Sequence, residues 1–229
     1  MKKLIVLTGA GISAESGIKT FRDSDGLWEG HDAMTVASPE GWDSDTELVL
    51  DFYNQRRRQL KEVTPNAAHT ALVQLEEKYD VTIITQNVDN LHERAGSSRI
   101  IHLHGELTKV QSTGVPSIIK EWDDDVVLGD LCPKGYQLRP HIVWFGEQVP
   151  LLVPAIEYCE EGEIFIIIGT SMQVYPAASL ISYAPKDSII YYIDPNPSMS
   201  WELSLRKNLI TIPSNATEGV VNLVLDLMK

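Results

Sequence analysis

The chain has 229 residues, 43% of them hydrophobic, and its 32 Asp and Glu outnumber its 19 Lys and Arg, for a formal net charge of -13. A chain of this length can bury a sizeable core as one domain, with or without an inserted lobe. The acidic balance argues against a nucleic-acid partner, because phosphate contacts need clustered Lys and Arg, and it mildly favours a cationic, lysine-bearing substrate.

The first apolar run, Leu4–Leu7, follows two lysines and resembles the start of a signal peptide. It is far shorter than the roughly 7 to 15 residues of a secretory apolar region. No stretch approaches the roughly 20 apolar residues of a membrane span. We therefore predict a first strand, a cytoplasmic location and no membrane partner. Cys132 and Cys159 are expected to be reduced and packed, since a domain of this size needs no disulfide.

Short apolar, β-branched runs recur along the chain with helical patterns between them. Such runs without polar alternation are typical of strands buried on both faces of a parallel sheet. The predicted strands are Lys3–Thr8, Val81–Gln86, Arg99–His104, Ile164–Gly169, Ile189–Asp194 and Leu209–Pro213. Apolar residues at helical spacing predict crossover helices over Asn66–Tyr79 and Ala216–Met228.

Two regions, 21–63 and 107–138, break this rhythm, and the second contains Gly, Pro and Asp clusters. We predict an α/β fold in which a Rossmann-like, doubly wound parallel sheet occupies about 1–20, 64–106 and 139–229. The two irregular regions form a smaller inserted lobe. The active cleft is expected between the lobes, where ligand sites often lie.

A glycine-rich loop, LTGAGISAESG, directly follows the first predicted strand. Gly9 and Gly11 would let backbone N–H groups approach a pyrophosphate, with a helix beginning near Ser13. A merely tight turn would give the same pattern. An NAD dehydrogenase would also need a second strand ending in Asp or Glu about 20 residues further on. The stretch FRDSDGLWEGHDAMTV has no strand pattern, so hydride transfer is a minor alternative.

A helix from Val49 onward is predicted to have one apolar face. Steps of 4, 3, 4 and 3 place on that face Val49, Tyr53, Arg56, Leu60 and Val63. Arg57 and Arg58, about 100° and 200° further round, are expected to be solvated. A guanidinium such as that of Arg56 on an inward face needs an anion, because an unpaired buried charge costs several kcal/mol. That anion is either an internal carboxylate or the ligand.

Six motifs follow one another along the chain. They are GAGIS at 9–13, TFRD at 20–23, TQNVDNLHERAG at 85–96, HLHGE at 102–106, LRPHIVWFGE at 138–147 and GTSMQVYPAA at 169–178. In order and spacing they closely resemble the sirtuin family of NAD-dependent protein deacylases, from the first strand to the last helix. The resemblance implies an NAD-binding Rossmann-like lobe and a small lobe. It also implies transfer of an acyl group from lysine to the ADP-ribose of NAD.

The resemblance also implies which residues bind the NAD co-substrate. They are Gly9, Ala10, Gly11, Ile12, Ser13, Thr20, Phe21, Arg22, Gln86, Asn87, Asp89, Gly169, Thr170, Ser171, Asp194 and Ala216. Phe21 would shield the reactive ribose. Independently, Gln86, Asn87 and Asp89 follow a buried strand, at the sheet edge where open α/β sheets bind ligands. Asn87 and Asp89 could also cap the next helix.

His104 and Asn87 are the predicted catalytic residues. His104 ends a predicted strand before Gly105, so an imidazole with an ordinary pKa of roughly 6.5 is expected at the cleft edge. A lone histidine is more often structural, but its placement together with the family match favours catalysis. The implied reaction begins with attack of the acyl carbonyl oxygen on the ribose carbon that releases nicotinamide. His104 then deprotonates a ribose hydroxyl, and water must be excluded.

A second set of residues is predicted to bind the substrate. It comprises Tyr53, Arg56, Ala37, Val143, Trp144, Phe145, Gly146 and Tyr175. FYNQRR resembles the class III branch of sirtuins, in which a Tyr and an Arg three residues later hold the carboxylate of succinyl- or malonyl-lysine. Ala37 matches a small residue that leaves room for the longer acyl chain. Such a pair would select acidic acyl groups over acetyl.

The segment Val143–Gly146 is expected to form an extended edge to which a substrate peptide adds as a strand. An ordinary aromatic strand is the alternative. The expected partners are acyl-lysine proteins or peptides, and the enzyme is expected to be a monomer.

Most sirtuins bind structural zinc through four cysteines, whereas this chain keeps only Cys132 in the corresponding region. One thiolate cannot form a tetrahedral site, so we predict no zinc. Apolar residues are expected to fill the place of the metal: Val110, Ile118, Ile119, Trp122, Val126, Val127, Leu131 and Tyr136. Two other departures are Lys19, where the family has proline, and Asp194, where it has asparagine.

Three other functions fit part of the pattern. A general lysine deacetylase would leave Arg56 paired internally. A sirtuin-like mono-ADP-ribosyltransferase would leave Tyr53 and Arg56 without a ligand. A non-enzymatic NAD or ADP-ribose sensor would have no use for His104 beside Asn87. The deacylase of acidic acyl groups accounts for all of these residues.

Overall fold

The computed structural model describes residues 1–19, 27–28 and 30–229, with backbone only for 27–28. Thr20, Phe21 and Arg22, three of the predicted site residues, lie outside the described residues. In chain order the strands are β1 (Lys2–Thr8), β2 (Leu27–Trp28), β3 (His31–Asp32), β4 (Tyr79–Thr85), β5 (Ile100–His102), β6 (Gly105–Ser112), β7 (Ile119–Glu121), β8 (Leu138–Ile142), β9 (Ile164–Ile168), β10 (Ile189–Ile193) and β11 (Leu209–Ile212).

Helices alternate with the strands. The α-helices are α1 (Ala33–Val36), α2 (Pro39–Ser44), α3 (Thr46–Glu62), α4 (Ala67–Gln74), α5 (Leu91–Ala95), α6 (Leu152–Glu160), α7 (Trp201–Ser204) and α8 (Ala216–Met228). Turns of 3₁₀ helix occur at Ala10–Ile12, Ala14–Ser16, Leu75–Glu77 and Ala177–Tyr183. No helix among the described residues is long and apolar enough to cross a membrane.

A six-stranded parallel sheet has the order β11-β10-β9-β1-β4-β5. β1 is central, and Leu4 pairs with Val81 on one side and with Ile164 on the other. The order reverses direction between β1 and β9, which is the topology of a Rossmann-type sheet. The α/β prediction is confirmed. The strand over Arg99–His104 was predicted too long, because β5 ends at His102.

Both faces of the parallel sheet are covered, which explains the unbroken apolar runs. Leu4 and Val6 of β1 face a cluster built with α4 and α8. Ile5 and Leu7 face the opposite cluster, which includes α6 and the turn at Ala177–Tyr183. Because successive side chains of a strand point to opposite faces, a strand covered on both sides must be apolar throughout.

The smaller lobe combines α1–α3 with an antiparallel sheet of order β7-β6-β8. β6 begins at Gly105 and β8 ends at Ile142. This sheet therefore extends beyond the predicted region 107–138 at both ends. The boundary was misplaced because β5 and β6 are nearly continuous, so no turn signal separates the parallel strand from the antiparallel one.

Helix α3 confirms the predicted apolar face but corrects the prediction for Arg57. Arg57 is only 2% exposed. Its Nε donates to the carbonyl oxygen of Leu107 at 2.9 Å, and its Nη1 donates to Oδ1 of Asn54 at 2.8 Å. Arg58 is on the surface and pairs with Asp125 at 2.5 Å. The angle of Arg57 around the helix predicted exposure, but β6 packs beside the apolar face of α3 and supplies a backbone acceptor for the guanidinium.

The predicted replacement of the zinc site is half right. Val110 and Val126 are fully buried with Leu50, Cys132 and Leu138, and Ile118 and Trp122 pack against them. The other four predicted residues are exposed: Ile119, Val127, Leu131 and Tyr136. Cys132 and Cys159 are free and buried, as predicted.

Candidate active site

Two loops meet at the carboxyl ends of β1 and β9, where the sheet order reverses. The N–H of Gly9 donates to Ile168 O at 3.0 Å, and that of Gly11 donates to Gly169 O at 2.9 Å. A Cβ at Gly11 would lie 2.5 Å from the Cα of Gly169, which itself has a φ of +58°. The glycines therefore allow the two loops to pack in direct contact at the carboxyl ends of β1 and β9.

This geometry corrects the expected role of the glycine loop. The N–H groups of Gly9 and Gly11 bond to the neighbouring loop, so they do not point at a pyrophosphate. Two 3₁₀ turns follow them, with Ser13 between the turns, instead of an α-helix beginning at Ser13. Ile12 is fully buried in the core beneath the sheet, so its side chain does not line the cleft.

A buried polar network joins this loop to the residues after β4. Ser13 Oγ donates to Asp89 Oδ2 at 3.0 Å and accepts from Asn87 Nδ2 at 3.2 Å. The Asn87 N–H donates to Thr85 Oγ1 at 3.0 Å. Asp89 Oδ1 accepts from the N–H of Leu91, the first residue of α5, although the N-cap position itself is occupied by Asn90. Burial raises the pKa of Asp89, against the effect of these two donors.

Gln86 connects the ends of three neighbouring strands. Its N–H donates to Thr8 O at 2.9 Å. Its side-chain Nε2 donates to Thr170 Oγ1 at 3.0 Å. Gln86 and Thr170, two predicted cofactor residues, are therefore held together across the switch point. The polar groups at this edge and the close-packed glycines fit the ribose and amide groups of a dinucleotide.

His104 lies beside this network, in the two-residue turn between β5 and β6. Its Nδ1 is 3.1 Å from Gln86 O. A carbonyl oxygen only accepts, so Nδ1 carries the proton and Nε2 keeps its lone pair. Burial lowers the pKa of His104. The ring is thus neutral at pH 7 and can accept a proton at Nε2, as a general base requires.

Gly105 sets the position of His104. A Cβ at Gly105 would lie 2.0 Å from His141 O, and the residue has a φ of +82°. Both facts require glycine, because β8 approaches the chain directly after His104. The Val143 N–H then donates to His104 O at 2.9 Å. The glycine after the histidine in HLHGE therefore has a structural cause.

A hydrogen-bonded chain runs from the site into the core. Thr8 Oγ1 donates to Thr85 Oγ1 at 2.8 Å and lies 3.1 Å from His92 Nε2. The His92 ring packs edge-on against His69, with centroids 5.0 Å apart. Burial lowers the pKa of both histidines, that of His69 to about 4. Both rings are therefore neutral, and His92 donates to Thr8.

We expect this histidine pair to destabilise the protein in acid. In the unfolded chain each imidazole binds a proton below a pKa of roughly 6.5, whereas in the folded chain His69 does so only near pH 4. The free energy of unfolding is therefore unaffected by these histidines well above pH 6.5, and it decreases as the pH falls from 6.5 towards 4. His69 alone should cost about 2 kcal/mol at pH 5. Urea unfolding at pH 7.5 and pH 5 checks this, and His69→Asn should flatten the difference; an unchanged slope in that variant would contradict it.

Three of the predicted substrate residues lie in one apolar cluster of the small lobe: Ala37, Tyr53 and Trp144. Trp144 Nε1 donates to Tyr53 Oη at 3.1 Å. The Phe145 N–H donates to Ala37 O at 2.9 Å. Burial raises the pKa of Tyr53, so its phenol is protonated. Tyr53 itself is fully buried.

Arg56 lines a small pocket between the lobes. The pocket is lined by Ile18, Lys19, Arg56, Gln59, Leu60, Val88, Asp89 and Leu107. The Arg56 guanidinium also lies 4.9 Å from the centre of the Phe52 ring. The predicted acyl-carboxylate residue and the predicted NAD residue Asp89 therefore border the same cavity.

Only Phe145 and Gly146 of the segment 143–146 form a turn, and Val143 and Trp144 follow β8 without joining a strand, so the expected extended edge does not run through the whole segment. β8 ends at Ile142, and Gly146 has a φ of +87°. Internal acceptors engage the N–H groups of Val143, Trp144 and Phe145, the second through Glu147 Oε2 at 2.8 Å. Arg139 holds Glu147 with two bonds of 2.8 and 2.9 Å, and this fixes the turn.

The remaining predicted site residues make separate contacts. Asp194 is buried and accepts from the Asn196 N–H at 2.9 Å, and Ala216 begins α8. Tyr175 is exposed, and its hydroxyl donates to Glu202 at 2.9 Å. No contact described for Tyr175 joins it to Tyr53 or Arg56. Ala10 and Ser171 are half-buried in the two loops that meet.

The residues in the zinc region do not fit a zinc ion. Cys132 lies in the apolar cluster of the small lobe, and its sulfur accepts from Ser112 Oγ at 3.2 Å. Structural zinc needs four nitrogen or sulfur ligands. The chain's other cysteine, Cys159, belongs to the core beneath the parallel sheet. The absence of zinc remains a prediction from this ligand set.

Sequence reasoning missed one ion pair next to the site. His102 Nε2 lies 2.6 Å from Glu93 Oε1, and its Nδ1 lies 3.2 Å from Asn87 O. The sequence indicated only that His102 lies two residues before His104. In a continuous strand this spacing would place both side chains on the same face of the sheet. β5 ends between the two histidines, so they take different partners.

A Rossmann-type sheet with polar residues and a neutral histidine at the carboxyl ends of its strands has the architecture of a dinucleotide-dependent α/β enzyme. The Sir2 family model matches residues 9–176. An NAD-dependent protein deacylase of Helicobacter pylori is 59% identical over 229 residues, covering 100% of this chain and 99% of that protein.

Two solved structures are similar over nearly the whole chain. A Sir2 homolog–NAD complex is 38% identical with a TM-score of 0.88, covering 99% of this chain and 90% of the other. A Sir2 protein bound to acetylated peptide is 28% identical with a TM-score of 0.78, covering 98% and 91%. The chain belongs to the Sir2 family and is an NAD-dependent protein deacylase.

Proposed function

We propose that this enzyme removes succinyl and malonyl groups, and also acetyl groups, from protein lysines. The products are nicotinamide, 2′-O-acyl-ADP-ribose and free lysine. The supporting observation is the position of Arg56, on the inward face of α3 and in the lining of the pocket that Asp89 also borders. The acylated substrate is a protein or peptide, as for the similar structure that holds an acetylated peptide.

The pocket has the chemistry that an acidic acyl chain needs. Ile18, Val88 and Leu107 supply apolar walls for methylene groups. Arg56 and Lys19 supply positive charge against one carboxylate, that of Asp89. A planar guanidinium can bind a terminal carboxylate with two parallel hydrogen bonds, whereas an acetyl group has no carboxylate to bind.

Tyr53 is the proposed second contact to the acyl carboxylate. Its raised pKa keeps the hydroxyl protonated, so it can donate to an anion. The bond from Trp144 Nε1 satisfies an oxygen lone pair and orients the phenol. Because Tyr53 is fully buried here, the proposal requires the packing around Trp144 to open towards the pocket when substrate enters.

The proposed chemical roles follow from the hydrogen bonds of the site. Bound NAD supplies the electrophilic ribose carbon and the nicotinamide leaving group. His104 uses the free lone pair of Nε2 to take a proton from a ribose hydroxyl, while Gln86 O holds its Nδ1. Ser13 fixes the amide of Asn87, which is proposed to orient the reacting groups. Water must also be excluded from the reaction, since it would hydrolyse the reactive ribose.

The test compares peptides that differ only in the acyl group. Purified enzyme with NAD is incubated with matched acetyl-, succinyl- and malonyl-lysine peptides, and kcat/KM is measured by mass detection of the free lysine. We expect a preference of at least about tenfold for the acidic groups, the scale of one charged hydrogen bond. A preference for acetyl would indicate a general deacetylase with Arg56 paired internally. No turnover with NAD still bound would favour the transferase or sensor.

A further inference from the structure

The two histidines of HLHGE have different partners, although only one residue separates them. His104 faces one carbonyl oxygen through Nδ1. His102 faces an acceptor with each ring nitrogen, namely Asn87 O at 3.2 Å and Glu93 Oε1 at 2.6 Å. A backbone carbonyl cannot donate a hydrogen, and neither can an ionised carboxylate. A neutral imidazole would therefore direct a lone pair at one of them.

We propose that His102, as an imidazolium that donates from both ring nitrogens, is a positioning residue that fixes the backbone of Asn87 for deacylation. The proposal rests on the assignment of Asn87 to the reacting site. His102 touches neither the acyl group nor the nucleotide in this scheme. It acts through the Asn87 carbonyl, and the carboxylate of Glu93 stabilises the positive charge of His102.

The bonds of Asn87 show why one more contact matters. Its N–H bonds to Thr85 Oγ1, and its side-chain amide bonds to Ser13 Oγ. The carbonyl is held by His102 alone among the bonds described for it. Asn87 lies in the loop after β4, where no strand ladder restrains it. Without the His102 donor, the backbone carbonyl of Asn87 would be unrestrained. The Asn87 side chain, which is proposed to orient the reacting groups, would then be held less firmly.

The surroundings of His102 favour the charged form. Although burial opposes protonation, the carboxylate of Glu93 raises the pKa of His102. Glu106 of β6 acts in the same direction and is itself paired with Lys109 at 2.6 Å. The other titratable groups that couple to His102 are Asp89, His92 and His141. The last two are histidines of lowered pKa, so they add little opposing charge at neutral pH.

The sign of the pH dependence follows. The folded pKa of His102 lies above the ordinary 6.5. Above that folded value the ring keeps one proton, which stays on Nε2 because the carboxylate of Glu93 is a stronger acceptor than a backbone carbonyl. The Asn87 contact is therefore present below the folded pKa and is lost as the pH rises through it. kcat should therefore fall on the alkaline side. Glu93→Gln replaces the anion by an amide that can donate to Nε2, so a neutral ring can keep its proton on Nδ1 for Asn87 O, and the alkaline limb should disappear.

Two amide variants separate positioning from packing. In His102→Asn the amide nitrogen takes the place of Nδ1 and still donates to Asn87 O at every pH. In His102→Gln the longer amide takes the place of Nε2, so it keeps Glu93 and loses Asn87. We expect the Asn variant to retain kcat within about threefold and to lack the alkaline limb. The Gln variant should lose roughly tenfold or more in kcat, the scale of a hydrogen bond to a charged group.

The decisive measurement is the pH profile of kcat and KM with an acetyl-lysine peptide, together with ADP-ribose affinity by calorimetry and the thermal midpoint. A merely structural role would lower the midpoint of both variants and leave the alkaline limb unshifted, and this would overturn the proposal. So would a Gln variant with the kcat of the wild type. If the wild-type enzyme binds ADP-ribose but turns over no acylated peptide, the proposed function fails instead.

Discussion

Replacing His104 by glutamine should reduce kcat/KM for every acylated peptide by about 10² to 10⁴, the usual contribution of a general base. Glutamine is close in size to imidazole but has no basic nitrogen at neutral pH. Nucleotide binding should change little, because Gln86, Asn87 and Asp89 keep their own hydrogen bonds to Thr170 and Ser13. Steady-state kinetics and ADP-ribose calorimetry measure the two effects separately.

The matched control is His141→Gln, because His141 is a half-buried histidine of the adjacent strand β8 whose Nδ1 bonds to Gln111. It should retain most of the activity. The wild-type pH profile gives a second check: burial lowers the pKa of His104, so the acid limb of kcat/KM should lie below pH 6.5 and activity should rise through it. Equal losses in the two glutamine variants would show that His104 has only a structural role.

The parallel sheet was predictable because its strands are covered on both faces. Runs such as Leu4–Leu7 and Ile164–Ile168 contain only apolar residues, and short β-branched runs of this kind are typical of strands inside a parallel sheet. The small lobe was predictable only in outline. Its strands are short or half-exposed, and β7 is exposed at every residue, so no periodic signal identifies them.

Site residues were predictable where they closely follow a strand of the parallel sheet. Gln86, Asn87 and His104 follow strands β4 and β5, and parallel strands bring such ends together. Contacts between separate segments were not predictable. The burial of Arg57 depends on a carbonyl of β6, and the charge of His102 depends on a carboxylate in α5. Neither pairing has a fixed sequence spacing.

The glycines illustrate the same limit. Their position after β1 predicted a nucleotide loop, but their N–H groups are bonded to the loop after β9. A glycine pattern indicates that another group packs closely against the backbone, but it does not show whether that group is a ligand or another segment of the chain. Here the close neighbour of Gly11 is Gly169, a second glycine 158 residues later in a chain of 229.

Replacing Arg56 by methionine should reduce kcat/KM for succinyl- and malonyl-lysine peptides by roughly 10- to 150-fold, or about 1.5 to 3 kcal/mol of transition-state binding. Methionine keeps the apolar stem that packs near Phe52 but removes the guanidinium. Deacetylation should remain within about threefold of wild type, because an acetyl group has no carboxylate. The measurement is kcat/KM for the three matched peptides in wild type and variant.

Helix α3 provides a control that makes the same chemical change. Arg58→Met removes an equal charge from the exposed side of the helix, where Arg58 pairs with Asp125. Exposed pairs of this kind contribute about 0 to 1 kcal/mol, so all three activities should persist. Arg57 is unsuitable as a control, because it is buried and its bond to Leu107 O joins α3 to β6. If Arg56→Met lowers deacetylation as much as desuccinylation, Arg56 supports the fold and does not bind the acyl carboxylate.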